Sequence, residues 1–292
     1  MNGFSQTVVI VAHDAGGAAI LASFVEQEQL APLFVISGPA EKIFKDRLGE
    51  IHVVSLLDAL STSAWLLTGT GWQTDFEWKA IEQGRISGKH VVTFLDHWAN
   101  YPRRFVRNGK TAYPNQIWVG DSYAAKLARR TLPGIAIRQV VNPYFLHFIN
   151  EVKRIEDATK HSFTHLKAIL YVAENIDQPG FRQEDAFHYF MSNLEVLGVE
   201  VGEVIFRPHP SESAHKYAWI VNEFSANVRL SNGEPLAWDI AASDIVVGCS
   251  SMAMALAVMA GRRVVSCIPN AAIPFSLPFQ QIEHLSDLIA IS

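Results

Sequence analysis

Cysteine is scarce in this chain: only Cys249 and Cys267 occur in 292 residues. Two cysteines make neither a disulfide framework nor a cysteine-based metal site, which suits a reducing compartment. There is no positive excess either, with 24 Lys and Arg against 29 Asp and Glu and a formal net charge of -5. Phosphate backbones reward a basic excess, so no nucleic-acid partner is expected. Long hydrophobic runs are missing too. The longest near the C-terminus, Met252 to Ala260, falls far short of the roughly 20 residues that span a bilayer. The start, from Met1 into Val8-Val9-Ile10-Val11, lacks the basic residues and small-residue cleavage site of a secretory signal. The expectation is a cytoplasmic protein with no transmembrane segment. Low-complexity tracts and short-period repeats are absent.

Several catalytic signatures are also absent. Neither the dinucleotide fingerprint Gly-x-Gly-x-x-Gly nor the full P-loop pattern occurs. There is no Asp-x-Asp to bridge a metal to a diphosphate, so no metal and no cofactor are expected. His161 and His165 have a metal-like spacing, but Ser162 stands where zinc proteolysis needs glutamate. Gly248-Cys-Ser-Ser-Met252 imitates a nucleophile elbow with methionine in place of the second glycine, which argues against a serine hydrolase.

What is present is a well-cored globular composition, 49% hydrophobic and 18% charged, at a length suited to two domains. Short β-branched runs alternate with helical patterns, the mark of parallel α/β architecture. In the first half, strands are expected at Val8–Ala12, Leu33–Ser37, His52–Leu56, Trp65–Thr68, Val91–Leu95, Ile117–Gly120 and Arg138–Val141. Helices are expected at Ala18–Leu30, Glu41–Leu48, Phe76–Gly84 and Tyr123–Thr131. Residues 145–165 are helix-like and polar. A second series follows, with strands at Ala168–Ala173, Glu203–Arg207, Val228–Leu230, Asp244–Gly248 and Arg263–Ser266. Its helices are Glu184–Leu197, Ala214–Phe224, Leu236–Ala242 and Met252–Ala260. The fold class is α/β, two doubly wound Rossmann-like domains facing a cleft. Residues 1–148 form the acceptor-side domain, 149–165 a connector and 166–292 the nucleotide-binding domain. Ligands in such sheets sit beyond the carboxyl ends of the strands.

At that edge of the second domain an apolar strand ends at Gly248, and Ser250-Ser251 stand where a helix begins. A helix N-terminus presents unpaired N–H groups and about half a positive charge, so it attracts phosphate. Gly248 allows close backbone approach, and the two hydroxyls add donors. The competing reading makes either serine a simple N-cap. A second strand ends in Arg207-Pro-His-Pro210, where two prolines fix the turn and His209 can donate to a phosphate oxygen. Arg207 joins the same candidate site, and the Ser231–Pro235 loop with Glu234 is assigned to the base, ribose or sugar.

His-Pro after one strand and Ser-Ser some forty residues on resemble bacterial transferases of the GT-B fold, including sialyltransferases and the capsule and teichoic-acid transferases that use cytidine nucleotides. The resemblance implies that His209, Ser250 and Ser251 hold the nucleotide phosphate. It extends through the two-domain layout over nearly the whole chain, although the motifs cover few residues. The sialyltransferases carry two acidic residues followed by glycine in the first domain, and this sequence has no such triplet. Little chain remains before Ser292 for the C-terminal helices of that fold.

In the first domain, the opening strand leads into His13-Asp14-Ala15-Gly16-Gly17. Adjacent glycines allow a tight turn against a ligand. Asp14 is a candidate base for an acceptor hydroxyl and equally a helix N-cap. A similar loop with a catalytic histidine begins the UDP-sugar hydrolase of pseudaminic acid synthesis, and this weaker resemblance makes His13 a rival. Asp96-His97-Trp98-Ala-Asn-Tyr101 follows another strand, with Asp96 a third candidate base, His97 a substrate contact, and Trp98 or Tyr101 a stacking face. Gly69-Thr70-Gly71-Trp72 lines the same edge, Asp121 or Ser122 reads as a helix cap, and Arg103–Lys110 is a basic patch best explained as a solvated loop, although an anionic acceptor or membrane surface would also suit it.

Together these features predict a metal-independent glycosyltransferase of surface polysaccharide synthesis, transferring sugar from a cytidine or uridine nucleotide to a glycan or lipid-linked acceptor. The alternatives are a UDP-sugar hydrolase or epimerase, and a non-catalytic nucleotide- or sugar-binding protein.

Overall fold

The structure is a computed structural model, and it describes residues 7–71, 74–159, 167–178, 181–210, 212–224, 227–269 and 275–291. Trp72, His161, Ser162 and His165 lie outside these residues. The chain divides into two compact units, Met1–Leu146 and His147–Ser292.

In the first unit the elements run β1 (Val8–Ala12), α1 (Ala15–Gln27), β2 (Leu33–Ile36), α2 (Pro39–Leu48), α3 (Leu56–Thr62), β3 (Trp65–Thr68), α4 (Phe76–Ile86) and β4 (His90–Leu95). They continue with α5 (Tyr101–Arg104), the short hairpin β5 (Val106–Arg107) and β6 (Lys110–Thr111), then β7 (Gln116–Val119), α6 (Ser122–Thr131) and β8 (Ala136–Gln139). Helix α7 (Pro143–Thr159) follows, its first turn capped by Asn142, whose Oδ1 accepts from the Tyr144 amide at 3.1 Å.

The main sheet has the order β2-β1-β3-β4-β7-β8, and every pairing is parallel. All five residues of β1 are buried, as a strand covered by helices on both faces must be. The strand expected at His52–Leu56 shrinks to a single parallel bridge, Val53 to Phe34, on the far side of β2. Ser55 is the reason: its Oγ accepts the Asp58 amide at 3.1 Å and caps α3, which turns the chain away after Val54. With that rudimentary strand counted, the topology reverses between β1 and β3, so both ends of a switch point are set by the loops after those strands.

The second unit contains β9 (Lys167–Val172), a hairpin of β10 (Asp177–Gln178) and β11 (Phe181–Arg182), α8 (Gln183–Met191), β12 (Val201–Arg207), α9 (Ala218–Glu223) and β13 (Val228–Leu230). It closes with α10 (Leu236–Ala241), β14 (Ile245–Gly248), α11 (Met252–Met259), β15 (Arg263–Ser266), β16 (Ile282–His284) and α12 (Leu285–Ile291). The sheet order is β13-β12-β9-β14-β15-β16, again entirely parallel, with its switch point between β9 and β14. Tyr171, Phe187, Phe190 and Phe206 form an aromatic centre, with ring centroids 4.8 to 6.3 Å apart. Expected helices 184–197 and 214–224 each split into a helix and a turn of 3-10 helix. Strand β16 and α12 had no counterpart in the sequence reading, because Ile282-Glu-His284 is too short to show a period. No helix among the described residues is long and apolar enough to cross a membrane.

Candidate functional site

Each switch point is organised by a buried or partly buried glutamate that the sequence reading passed over. In the first unit, Glu77 enters from the first turn of α4 and is 1% exposed. Its Oε1 accepts the amides of His13 at 2.7 Å and Asp14 at 3.0 Å, pinning the loop after β1. Its Oε2 is buried without a hydrogen-bond partner among the described residues. Asp14 is the N-cap of α1, its Oδ1 accepting the Ala15 amide at 2.9 Å. The capping role of Asp14 is therefore real, and one oxygen is committed to it. Burial, and then the negative charges of Asp96 and Glu77, raise the Asp14 carboxyl above the ordinary carboxylate range, against the pull of the Ala15 amide and Arg104. A raised carboxyl at the carboxyl edge of a sheet is equipped to take a proton.

Asp96 has a different task from the one expected of it. Its Oδ1 receives Arg104 Nη1 at 2.6 Å, with both side chains about one-tenth exposed. Arg104 also donates to Thr70 Oγ1 at 2.8 Å and to the Thr70 carbonyl at 3.1 Å. Asp96 is thus tied to Arg104, and its negative charge acts on Asp14. The glycines also differ from expectation. Gly16 and Gly17 lie inside α1, and a Cβ on Gly16 would collide with Asp96 Oδ2. A Cβ on Gly17 would stand 3.2 Å from the Gly69 Cα. The pair admits close packing of α1 on neighbouring loops, which leaves no observation tying it to a ligand.

Trp98 is 6% exposed, donates from Nε1 to Asp121 Oδ2 at 2.8 Å and stacks on Phe145. It has no open face for a sugar, and Tyr101, at 1% exposure, has none either. His97 lies in the same enclosed cluster, its Nδ1 buried without a partner, and burial lowers its pKa. Asp121 caps α6 through the Ala124 amide at 2.8 Å. Nor is the basic patch simply a solvated loop. Arg104 is buried as described, and Arg107 reaches Asp75 at 3.2 Å and the Gly71 carbonyl at 2.7 Å. Two of its positive charges thus brace the loop after β3.

In the second unit the order β12-β9-β14 places the loops carrying His209, Glu174 and Ser250-Ser251 side by side at one sheet edge. His209 is half-buried in its proline turn, where its carbonyl accepts the Glu212 amide at 2.9 Å. Ser251 is the N-cap residue of α11, with φ -81° and ψ 159°, yet its hydroxyl makes no cap hydrogen bond. Its Oγ is buried with no partner among the described residues. Ser250 Oγ sits 2.7 Å from Ser276 Oγ and accepts the Ser276 amide at 3.1 Å. Neither serine is a side-chain cap.

Arg207 and Gly248 are corrected. Arg207 Nη1 is bound to Asp239 Oδ2 at 2.5 Å and to the Glu234 carbonyl at 2.7 Å, while Ser231 Oγ donates to the same Asp239 oxygen at 2.7 Å. Through Nη1 it holds the Ser231–Pro235 loop. That loop leaves Glu234 exposed. A Cβ on Gly248 would lie 2.8 Å from Val172 Cγ2, 3.0 Å from the Val172 carbonyl and 3.1 Å from Met254 Sδ. The glycine is required by the core.

Glu174 lies two residues beyond β9, and its Oε1 accepts the amides of Cys249, at 3.1 Å, and Ser250. Burial pushes its carboxyl up to about 7, although these amides pull the other way. The folded protein then keeps a proton that an ordinary glutamate releases near 4.5. That contribution is complete below 4.5 and is lost as pH rises towards 7, amounting to about 3 kcal/mol at most at about 1.4 per pH unit. Glu174→Gln should therefore gain stability relative to the parent between about pH 5 and 7.5 in urea unfolding. A constant difference across that range would show the carboxyl titrates normally.

Signals for these residues were partly present. Glu174 stands directly beyond a strand's carboxyl end, the position searched at other strands. Glu77 in the first turn of a helix reads as an ordinary partner of the helix dipole, and only the fold carries it to the loop after β1.

No family model matches the chain, and no curated protein sequence does. Solved structures do. The UDP-GlcNAc 2-epimerase of Methanocaldococcus jannaschii aligns with 97% of this chain and 91% of its own, at 11% identity and a TM-score of 0.65. The alpha/beta-galactoside alpha-2,3-sialyltransferase of Photobacterium phosphoreum aligns with 97% of this chain and 100% of its own, at 10% identity and 0.54. The wall teichoic acid polymerase TagF aligns with 98% of this chain and 78% of its own, at 11% identity and 0.55. The fold is the two-unit α/β fold of GT-B type shared by these proteins. At such identities the likeness is one of fold.

Proposed function

We propose that the protein is a glycosyltransferase that takes sugar from a cytidine or uridine nucleotide without a metal, with a glycan or lipid-linked acceptor of surface polysaccharide synthesis. The observation that carries this is Ser251: an N-cap hydroxyl, buried and uncommitted, at the start of an apolar helix on the carboxyl edge of a parallel sheet. A hydroxyl there that does not cap is a donor waiting for an acceptor, and the helix end favours an anionic one. His209 one loop away supplies a second donor, and Ser250 shares its hydroxyl with Ser276. Preorganised donors of this kind stabilise charge on a departing nucleotide without a metal. Asp14, with His13 as its rival, activates the acceptor.

A second reading is favoured by the raised Asp14 carboxyl beside Asp96 and Glu77. Such a carboxylate group also suits proton abstraction from a bound sugar, the task of an epimerase, or delivery of water, the task of a hydrolase. Incubation with a nucleotide-sugar and analysis of products separates the three. Binding without turnover across a panel of donors would favour a binding protein.

The first measurement is thermal stabilisation by CMP, CDP, UMP, UDP and GDP. A ligand at a hundred times its dissociation constant adds about 2.7 kcal/mol. One nucleotide of the cytidine or uridine series should stabilise the protein, and Ser250→Ala combined with Ser251→Ala should abolish the effect. If none stabilises it, the phosphate site is wrongly placed.

A further inference from the structure

The second unit already places a carboxyl group where the nucleotide phosphate is assigned. Glu174 extends from β9 across to the loop after β14, whose Gly248 is in register with Val172. One carboxylate oxygen takes two consecutive amides, those of Cys249 and Ser250, just ahead of α11. These are the backbone donors that would serve a phosphate there. The residue as a whole is partly exposed, while its carboxyl is largely desolvated. Its own amide donates to Gln183 Oε1 at 2.7 Å, and Gln183 Nε2 donates to Tyr171 Oη at 2.7 Å, so this hydrogen-bond chain through α8 and β9 is made of neutral groups. The titratable neighbours are likewise uncharged near neutrality: burial raises the Tyr171 phenol, and the hydrogen bond to Cys267 together with burial raises the Cys249 thiol. No lysine, arginine or histidine among the described residues pairs with Glu174. A second anion beside it thus meets an uncompensated negative charge in a weakly polar setting, which costs far more there than in water.

Building on the nucleotide reading above, we propose that Glu174 couples nucleotide binding to proton uptake: ionised, it occupies the Cys249 and Ser250 amides of the empty site, and it gains one proton when a nucleotide phosphate arrives beside Ser251. The proton comes from solvent and is returned when the nucleotide leaves. The raised carboxyl makes that uptake accessible near neutral pH. Glu174 is a specificity-determining group in this scheme, since it penalises more highly charged ligands and favours those arriving at lower pH.

The test is isothermal titration of UDP and CDP into the parent and Glu174→Gln, at about pH 6, 7 and 8, in paired buffers of different ionisation enthalpy. Glutamine keeps an oxygen for the amides and removes the charge. In the parent, affinity should fall roughly tenfold from about pH 6 to 8, most of it above pH 7, with proton uptake beyond that of the variant rising from about one half at pH 7 to close to one at pH 8. The variant should bind roughly tenfold tighter than the parent at pH 8 and equally at pH 6. The free nucleotide titrates identically in both titrations, so the difference belongs to Glu174. Equal affinity and equal proton uptake in the two proteins would overturn the proposal while leaving the nucleotide site standing. Weaker binding by the variant at every pH would also overturn it, making Glu174 a structural support of the loop. Failure of both proteins to bind any nucleotide would remove the nucleotide site and this inference together. Should the variant not fold, proton uptake by the parent no larger than that of the free nucleotide is decisive against it.

Discussion

Replacing Asp14 by asparagine is expected to lower turnover of a nucleotide-sugar about 10²–10⁴-fold, the range for loss of a positioned general base. Asparagine is as good an N-cap as aspartate, so the contact to the Ala15 amide and the start of α1 survive. The variant should therefore melt close to the parent. Stabilisation by nucleotides should also persist, since Asp14 belongs to the first unit and Ser250 and Ser251 to the second. The raised carboxyl gives a further signature. Its base form is lost as pH falls through its pKa, so the acid limb of the rate profile should lie above the ordinary 3.8 of aspartate. A rate within a few-fold of the parent would exclude Asp14. In that case His13→Ala becomes the decisive variant, because His13 is fixed by the same Glu77 oxygen.

Glu77→Ala should cost roughly 1–3 kcal/mol, since two partly buried amides lose their shared acceptor. The two amides are those of His13 and Asp14, and the lost side chain is almost wholly buried. Glu77→Gln should cost much less, because its amide oxygen can accept both hydrogen bonds. Removing the charge should also bring the Asp14 carboxyl down, since Glu77 contributes to raising it. Urea unfolding reads the first effect and carboxyl carbon NMR titration of Asp14 the second. A stability change below about 0.5 kcal/mol for the alanine variant, the size of an ordinary surface substitution, would mean that the loop after β1 does not depend on Glu77.

The two predictions together distinguish chemistry from scaffolding. Asp14 carries the proposed reaction and contributes modestly to stability. Glu77 does the reverse, touching no reacting atom and holding the segment that presents Asp14.

Much of the architecture follows from local pattern. Runs such as Val8–Ala12 and Ile245–Gly248 are apolar at every position, and only a helix-covered parallel strand accommodates that in these lengths. The turn chemistry at Asp14, Ser55 and Asp121 likewise acts within a few residues, through caps that the sequence displays. Hence the alternation of strands and helices, and the loops on which to look for a site, were legible. Where a side chain's partner lies far along the chain, residue type said little. Arg207 looked like a phosphate ligand and is held by Asp239; Trp98 looked like a sugar platform and is sealed against Asp121 and Phe145. Gly248 looked like room for a ligand and is room for Val172 and Met254. The carboxylates of Glu77 and Glu174 meet amides 64 and 76 positions away, at His13 and Ser250, and no local pattern encodes such a meeting. Sequence determined the elements because their forces are short in range along the chain. Only the tertiary structure decided which charges are paired, which hydroxyl is free and which glycine is crowded, because burial and pairing are properties of neighbours that folding brings together.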